Sequence, residues 1–230
     1  GLFLTLFLIG FFLLASSAFT DWSKNSIINF LKNKVENRIE YGSFELNVFK
    51  GGKITDLLIY DHHGDTLIYS KLLHFQLSRS LGSLLKNEIS LKEVDLDDGL
   101  LKVIGYVGEN DNSLTHFINQ FSKSKSSTKK KFKLELSDIK LKNFRHFRDK
   151  RETGVREYYY VQDGSVKVEQ MNFPANYILL NSVNLKGPAV LISHDPNVIP
   201  PESKAILDSV YSCTNPFVIF IKKANLEKGY

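Results

Sequence analysis

One apolar pattern recurs along the chain with a step that a regular strand cannot keep. The order is apolar, x, apolar, x, x, apolar, x, apolar. It occurs in Ile89-Leu91-Val94-Leu96, in Leu134-Leu136-Ile139-Leu141 and in Val166-Val168-Met171-Phe173, and every x is polar. Looser copies are Ile178-Leu180-Val183-Leu185 and Ile219-Ile221-Ala224-Leu226, and half of the pattern appears in Ile54-Leu57-Ile59. Side chains of a strand alternate, so the longer step sends the second apolar pair to the opposite face. A β-bulge at the polar pair returns all four to one face and adds twist. The pattern predicts a strongly twisted, mainly β structure with one apolar face. Either a second sheet covers that face, making a sandwich, or the sheet curls into an apolar groove that holds acyl chains. Periodicity leaves both open.

The rest of the chain supports a β-rich reading. Phe44, Leu46 and Val48 alternate with polar residues before a Gly51-Gly52 turn. Strands are expected over Ile54 to Tyr60, Leu67 to Leu77, and near 89–96, 100–107, 132–148, 155–173, 177–192 and 217–226. Helical spacing appears twice: in Ile27, Leu31, Val35 and Ile39 within 21–42, and in Leu114, Phe117, Ile118 and Phe121 within 113–122. Leu81, Leu84 and Leu85 suggest a further short helical turn. With no strand–helix alternation, an antiparallel sheet is expected in place of a doubly wound α/β fold.

Residues 1–20 carry no charge. Twenty helical residues rise ~30 Å, the thickness of one bilayer core. The segment reads as an uncleaved membrane anchor, with Leu2, Phe3, Leu6, Phe7, Phe11 and Leu14 facing lipid. The rival reading is a cleaved signal peptide, because Ala15-Ser16-Ser17-Ala18 supplies small residues.

The formal charge of +5 misleads, because six lysines without an acid fall in residues 123–133, and without them the balance is −1. A nucleic-acid binder spreads its cations over a folded face with stacking aromatics, so this run reads as a solvated linker and no nucleic-acid partner is expected. A single cysteine, Cys213, excludes an internal disulfide framework and a multi-cysteine zinc site.

Asp61-His62-His63-Gly64-Asp65 contains metal-ligand residue types. Adjacent histidines on an extended segment point to opposite sides. The simpler expectation is a hairpin turn, with Gly64 at positive φ and aspartates bonding the backbone. Ser193-His194-Asp195 has no glycine-flanked nucleophile near it, and His116 and His146 stand alone in sequence. Tyr158-Tyr159-Tyr160 reads as strand packing. No catalytic constellation, metal or cofactor is expected, and the chain reads as a non-enzyme.

Three stretches carry a family resemblance. The first is the anchor followed at once by an amphipathic helix over 20–40. The second runs from Gly51 to Tyr69 and contains Asp61-His62-His63-Gly64-Asp65-Thr66-Leu67 between two strands. The third runs from Leu114 through the lysines to Phe132-Lys133-Leu134. In this order, over most of residues 1–192, the chain resembles the N-terminal part of TamB-like proteins of the AsmA superfamily, in the form found in Bacteroidetes. The resemblance implies a single-pass inner-membrane protein of a Gram-negative bacterium with its bulk in the periplasm. It implies a curled β bridge that carries phospholipid towards the outer membrane or supports outer-membrane protein assembly. It also implies an Omp85-type outer-membrane barrel as a partner, met through a C-terminal region beyond this chain.

The expected organisation is an anchor (1–20), an amphipathic helix (21–42), a first groove segment (43–122), a Lys/Ser linker (123–131) and a second groove segment (132–230). The expected lining is Ile54, Leu57, Ile59, Ile89, Leu91, Val94, Leu96, Leu134, Leu136, Ile139, Leu141, Val166, Val168, Met171, Phe173, Ile219 and Ile221. The alternative is a membrane-tethered β-sandwich that scaffolds or binds a protein.

Overall fold

A computed structural model describes residues 36–47, 51–77, 88–122, 133–172, 177–198 and 218–228. The anchor 1–20, most of the helix 21–42, the turn near Leu81, the linker 123–131, Phe173 and Cys213 lie outside the described residues.

The strands are β1 (Ile39–Glu40), β2 (Ser43–Asn47), β3 (Gly51–Tyr60), β4 (Thr66–Leu77), β5 (Glu88–Gly105), β6 (Lys133–Lys150), β7 (Val155–Asn172), β8 (Tyr177–Lys186), β9 (Ala189–His194), β10 (Val218–Ile221) and β11 (Ala224–Glu227). One helix, α1 (Ser113–Ser122), falls among the described residues between β5 and β6. All eleven strands belong to one sheet ordered β1-β3-β4-β5-β6-β7-β8-β10, with β2 on β3, β9 on β7 and β11 on β8. The described residues therefore hold no second sheet, and the sandwich is not what they form.

Several expectations need correction. The sheet is mixed: β5 and β6 run parallel, and β10 and β11 run parallel to β8. Parallel neighbours need a long crossover, and the connection through α1 and the lysine-rich segment supplies one between β5 and β6. The strands expected at 89–96 and 100–107 are one strand, because Asp98 takes φ 51° and bends the chain without ending the ladder. The strand expected at 177–192 is two, divided at Gly187 (φ 61°) and Pro188. The helix expected over 21–42 does not reach its end: Ile39 and Glu40 form a strand on Ile59 and Leu58. The helix expected over 113–122 is α1.

The Asp98 bend is part of a line. Asp56 (φ 49°), Asp98 (φ 51°) and Asn143 (φ 49°) are left-handed, and aspartate and asparagine tolerate that region best after glycine. Their flanking pairs, Thr55↔Leu72 and Leu57↔Ser70, Leu72↔Asp97 and Ser70↔Gly99, and Asp97↔Lys142 and Leu100↔Arg145, keep one register throughout. The three residues thus share a row that creases the sheet without a slip.

A small closed core lies beyond this crease. Leu67 and Ile104 are fully buried, with Leu57, Val103 and Tyr106 nearly so. The helix α1 packs against β5 here. Asn112 caps it, its Oδ1 accepting the N–H groups of Leu114 at 3.1 Å and Thr115 at 3.0 Å. Ser113 is buried and its Oγ accepts the Ile104 N–H at 2.9 Å. No helix among the described residues is long and apolar enough to cross a membrane.

Candidate functional site

The larger part of the sheet, on the other side of the crease, has two faces of opposite character. The register shifts between β4 and β5 at Gln76/Leu77, which leaves Lys92 as the extra residue, inside the polar pair of the repeated pattern. Leu73, Phe75 and Leu77, at a period of two, therefore meet Leu96, Val94 and Leu91, at a period that breaks. The parallel β6 carries the same interruption, so Ile89, Leu91, Val94 and Leu96 pair one for one with Leu134, Leu136, Ile139 and Leu141. The β7–β8 ladder is irregular at Val168, where Val168 meets Leu180 and Met171 meets Ile178. Strands β10 and β11 then repeat β8 in register: Ile219↔Ile178, Ile221↔Leu180 and Leu226↔Leu185.

The copies thus form continuous rows. One runs Phe44, Ile54, Leu73, Leu96, Leu141, Gly164, Leu185, Leu226, from β2 to β11. Its neighbour runs Gly52, Phe75, Val94, Ile139, Val166, Val183, Ala224. Gly52 leaves room for Phe75, whose ring would stand 2.3 Å from a Cβ there. Leu91, Leu136, Val168 and Met171 are only part-buried, and Ile219, Ile221 and Leu226 are 56%, 52% and 69% exposed. Not every expected lining residue joins. Leu57 and Ile59 lie beyond the crease, and Leu57 belongs to the closed core.

The opposite face is polar. One row reads His74, Asp95, Lys140, Ser165, Asn184, Asn225, and the next alternates in sign through Asp97, Lys142, Asp163, Lys186 and Glu227. Lys140 pairs with Glu93 at 2.9 Å, and Asn184 donates to Ser165 Oγ at 3.2 Å. These rows, together with Leu72, Leu96, Leu141, Gly164 and Leu185, line an open depression of about 880 Å³. Burial, then the neighbouring Glu93, raises the Asp95 carboxyl above its usual range. This charge alternation was present in the sequence and had no place in a reading built on apolar residues.

The second site is the turn between β3 and β4. Gly64 sits at φ 85°, and Asp61 is buried, its Oδ1 accepting the N–H groups of His63 and Asp65, each at 2.9 Å. The Tyr106 hydroxyl donates to Asp61 Oδ2 at 2.6 Å and reaches Asp65 Oδ2 at 3.0 Å. Burial and these two carboxylates push the Tyr106 phenol far above its ordinary value. Arg151 bonds Asp65 at 2.9 Å and lies 4.7 Å over the Tyr106 ring. Burial works to raise the Asp65 carboxyl, but the Tyr106 hydrogen bond and the charges of Lys102 and Arg151 prevail and hold it low.

The two histidines do not diverge as an extended segment would require, because they stand in a tight turn. His62 Nε2 lies 2.9 Å from Glu109 Oε2, and His63 Nε2 lies 2.5 Å from Glu109 Oε1. These bonds, His63's first, hold the Glu109 carboxyl below its usual range. The His62 ring stacks on His116 with centroids 4.1 Å apart. Sequence reading missed Glu109, Tyr106 and His116 as partners of the turn, since no spacing rule connects residues over forty positions apart. His146 lies elsewhere, its Nδ1 3.1 Å from the Leu101 carbonyl and its ring stacked on Tyr159. Comparison with known protein families finds no family model that matches this chain, and no curated protein matches it.

Proposed function

We propose that this chain is the membrane-proximal part of a periplasmic bridge that shields phospholipid acyl chains on their way to the outer membrane. The observation that carries this reading is the in-register apolar face, which spans from β2 to β11 with no described element over it. Each acyl CH₂ group removed from water is worth ~0.8 kcal/mol, so such a face lowers the barrier to moving a lipid across an aqueous space. The role is passive: the apolar rows supply a surface, and no side chain performs chemistry. The TamB-like resemblance supports the same reading, including the inner-membrane anchor at 1–20, a part in outer-membrane protein assembly and an Omp85-type partner.

The faces provide the test. Photo-crosslinking residues at Leu96, Leu136 and Met171 should capture phospholipid in cells, while Lys140 and Ser165 should not. Equal capture on both faces, or none, rejects the conduit. Capture of a protein at the apolar positions favours the scaffold reading instead.

A further inference from the structure

We propose that His62, His63 and Glu109 form a binding site for a divalent transition-metal ion of the zinc type. Their ligand atoms all lie within 4.8 Å of one another. Two imidazoles and a carboxylate are a borderline donor set, suited to zinc, cobalt and nickel and ill suited to calcium or magnesium. Three protein ligands leave a position for water, and the His63 side chain, 45% exposed, leaves the site open to it.

The geometry is close to what an ion needs. Tetrahedral zinc with bonds of about 2.0–2.1 Å holds its nitrogen and oxygen ligands about 3.3 Å apart. The present contacts of 2.9 and 2.5 Å to the two Glu109 oxygens are slightly tighter. An outward movement of Glu109 would bring both nitrogen–oxygen contacts to this spacing. That residue stands in the loop joining β5 to α1, where Gly108 has open space around it.

Nδ1 of His62 and Nδ1 of His116, on the two stacked rings, are buried without a hydrogen-bond partner. These are not the Nε2 atoms that face Glu109, so the site rests on the spacing of His62, His63 and Glu109. The ion would tie the β3–β4 turn to the loop before α1 and so clamp the closed core. It is independent of whether the distant apolar face carries lipid.

The test uses the full chain in detergent micelles, stripped of metal with a chelator. Cobalt(II) titration should give the visible absorption of a four-coordinate nitrogen–oxygen site, with one ion per chain, displaced by zinc. Saturating zinc at about a hundred times its Kd should raise the melting temperature by roughly 5–10 °C. His63→Gln and Glu109→Gln should each weaken cobalt binding at least tenfold while circular dichroism stays unchanged. His146→Gln should leave binding as it is. Absence of cobalt absorption, or binding indifferent to His63→Gln and Glu109→Gln, means an adventitious ion only and overturns the site.

Discussion

The closed core and the open sheet are made from the same strands, yet they solve the burial problem differently. Beyond the crease, Leu67 and Ile104 are fully covered, and the helix α1 packs against β5. On the other side, apart from the buried Leu46 on β2, rows of leucine, isoleucine and valine lie part-buried or exposed in a single layer. A core needs two layers; a single sheet covers only the edges of its side chains by cross-strand contact. Apolar residues alone therefore do not make a core. What makes one here is the return of the chain through α1.

The largest expected contrast is between apolar truncations in the two regions. Ile104→Ala should cost about 2–5 kcal/mol by chemical denaturation, because it leaves a cavity in packed surroundings. Leu141→Ala, on the part-buried face, should cost roughly 1 kcal/mol, because it removes less buried area and leaves no closed hole. Equal costs would mean that the sheet face is covered as well.

Tyr106→Phe sharpens the same contrast with one atom. It strips a hydroxyl from buried Asp61 and from Asp65, and should cost about 1–3 kcal/mol in the same denaturation assay. Tyr160→Phe, which loses only a 3.0 Å bond to Asn143 in the sheet, should cost less.

Acid should separate the regions by sign. The Asp65 carboxyl is held low in the fold, so its stabilisation is present above its unfolded value and is lost as pH falls through the folded one. The Asp95 carboxyl is raised, so its contribution is present at low pH and is lost as pH rises through its folded value. Stability measured from pH 3 to 7 should therefore rise less steeply in Asp65→Asn and more steeply in Asp95→Asn than in the parent. Slopes that shift in the same direction would contradict this pairing of environments. The smallest effect is expected at Lys142→Ala, where an exposed partner 3.8 Å from Asp97 should change stability by no more than about 0.5 kcal/mol.

The sequence by itself determined the β class, the span of α1, the Asp61–Asp65 turn with its positive-φ glycine, and the polar pair inside each apolar repeat. All of these are local. They follow from periodicity over a few residues and from the conformational freedom of Gly, Asp and Asn. The tertiary structure alone decided that β5 and β6 run parallel, because strand direction depends on a crossover whose path no local pattern encodes. It also decided that the repeats line up residue for residue into rows, since register is a property of pairs of strands. It brought Glu109 to the two histidines and Tyr106 to the two aspartates across more than forty residues of chain, and it divided apolar residues of similar type between a closed core and an open face. That division is physical: burial requires a second layer, and the choice of which strands receive one is made by how the chain returns over the sheet.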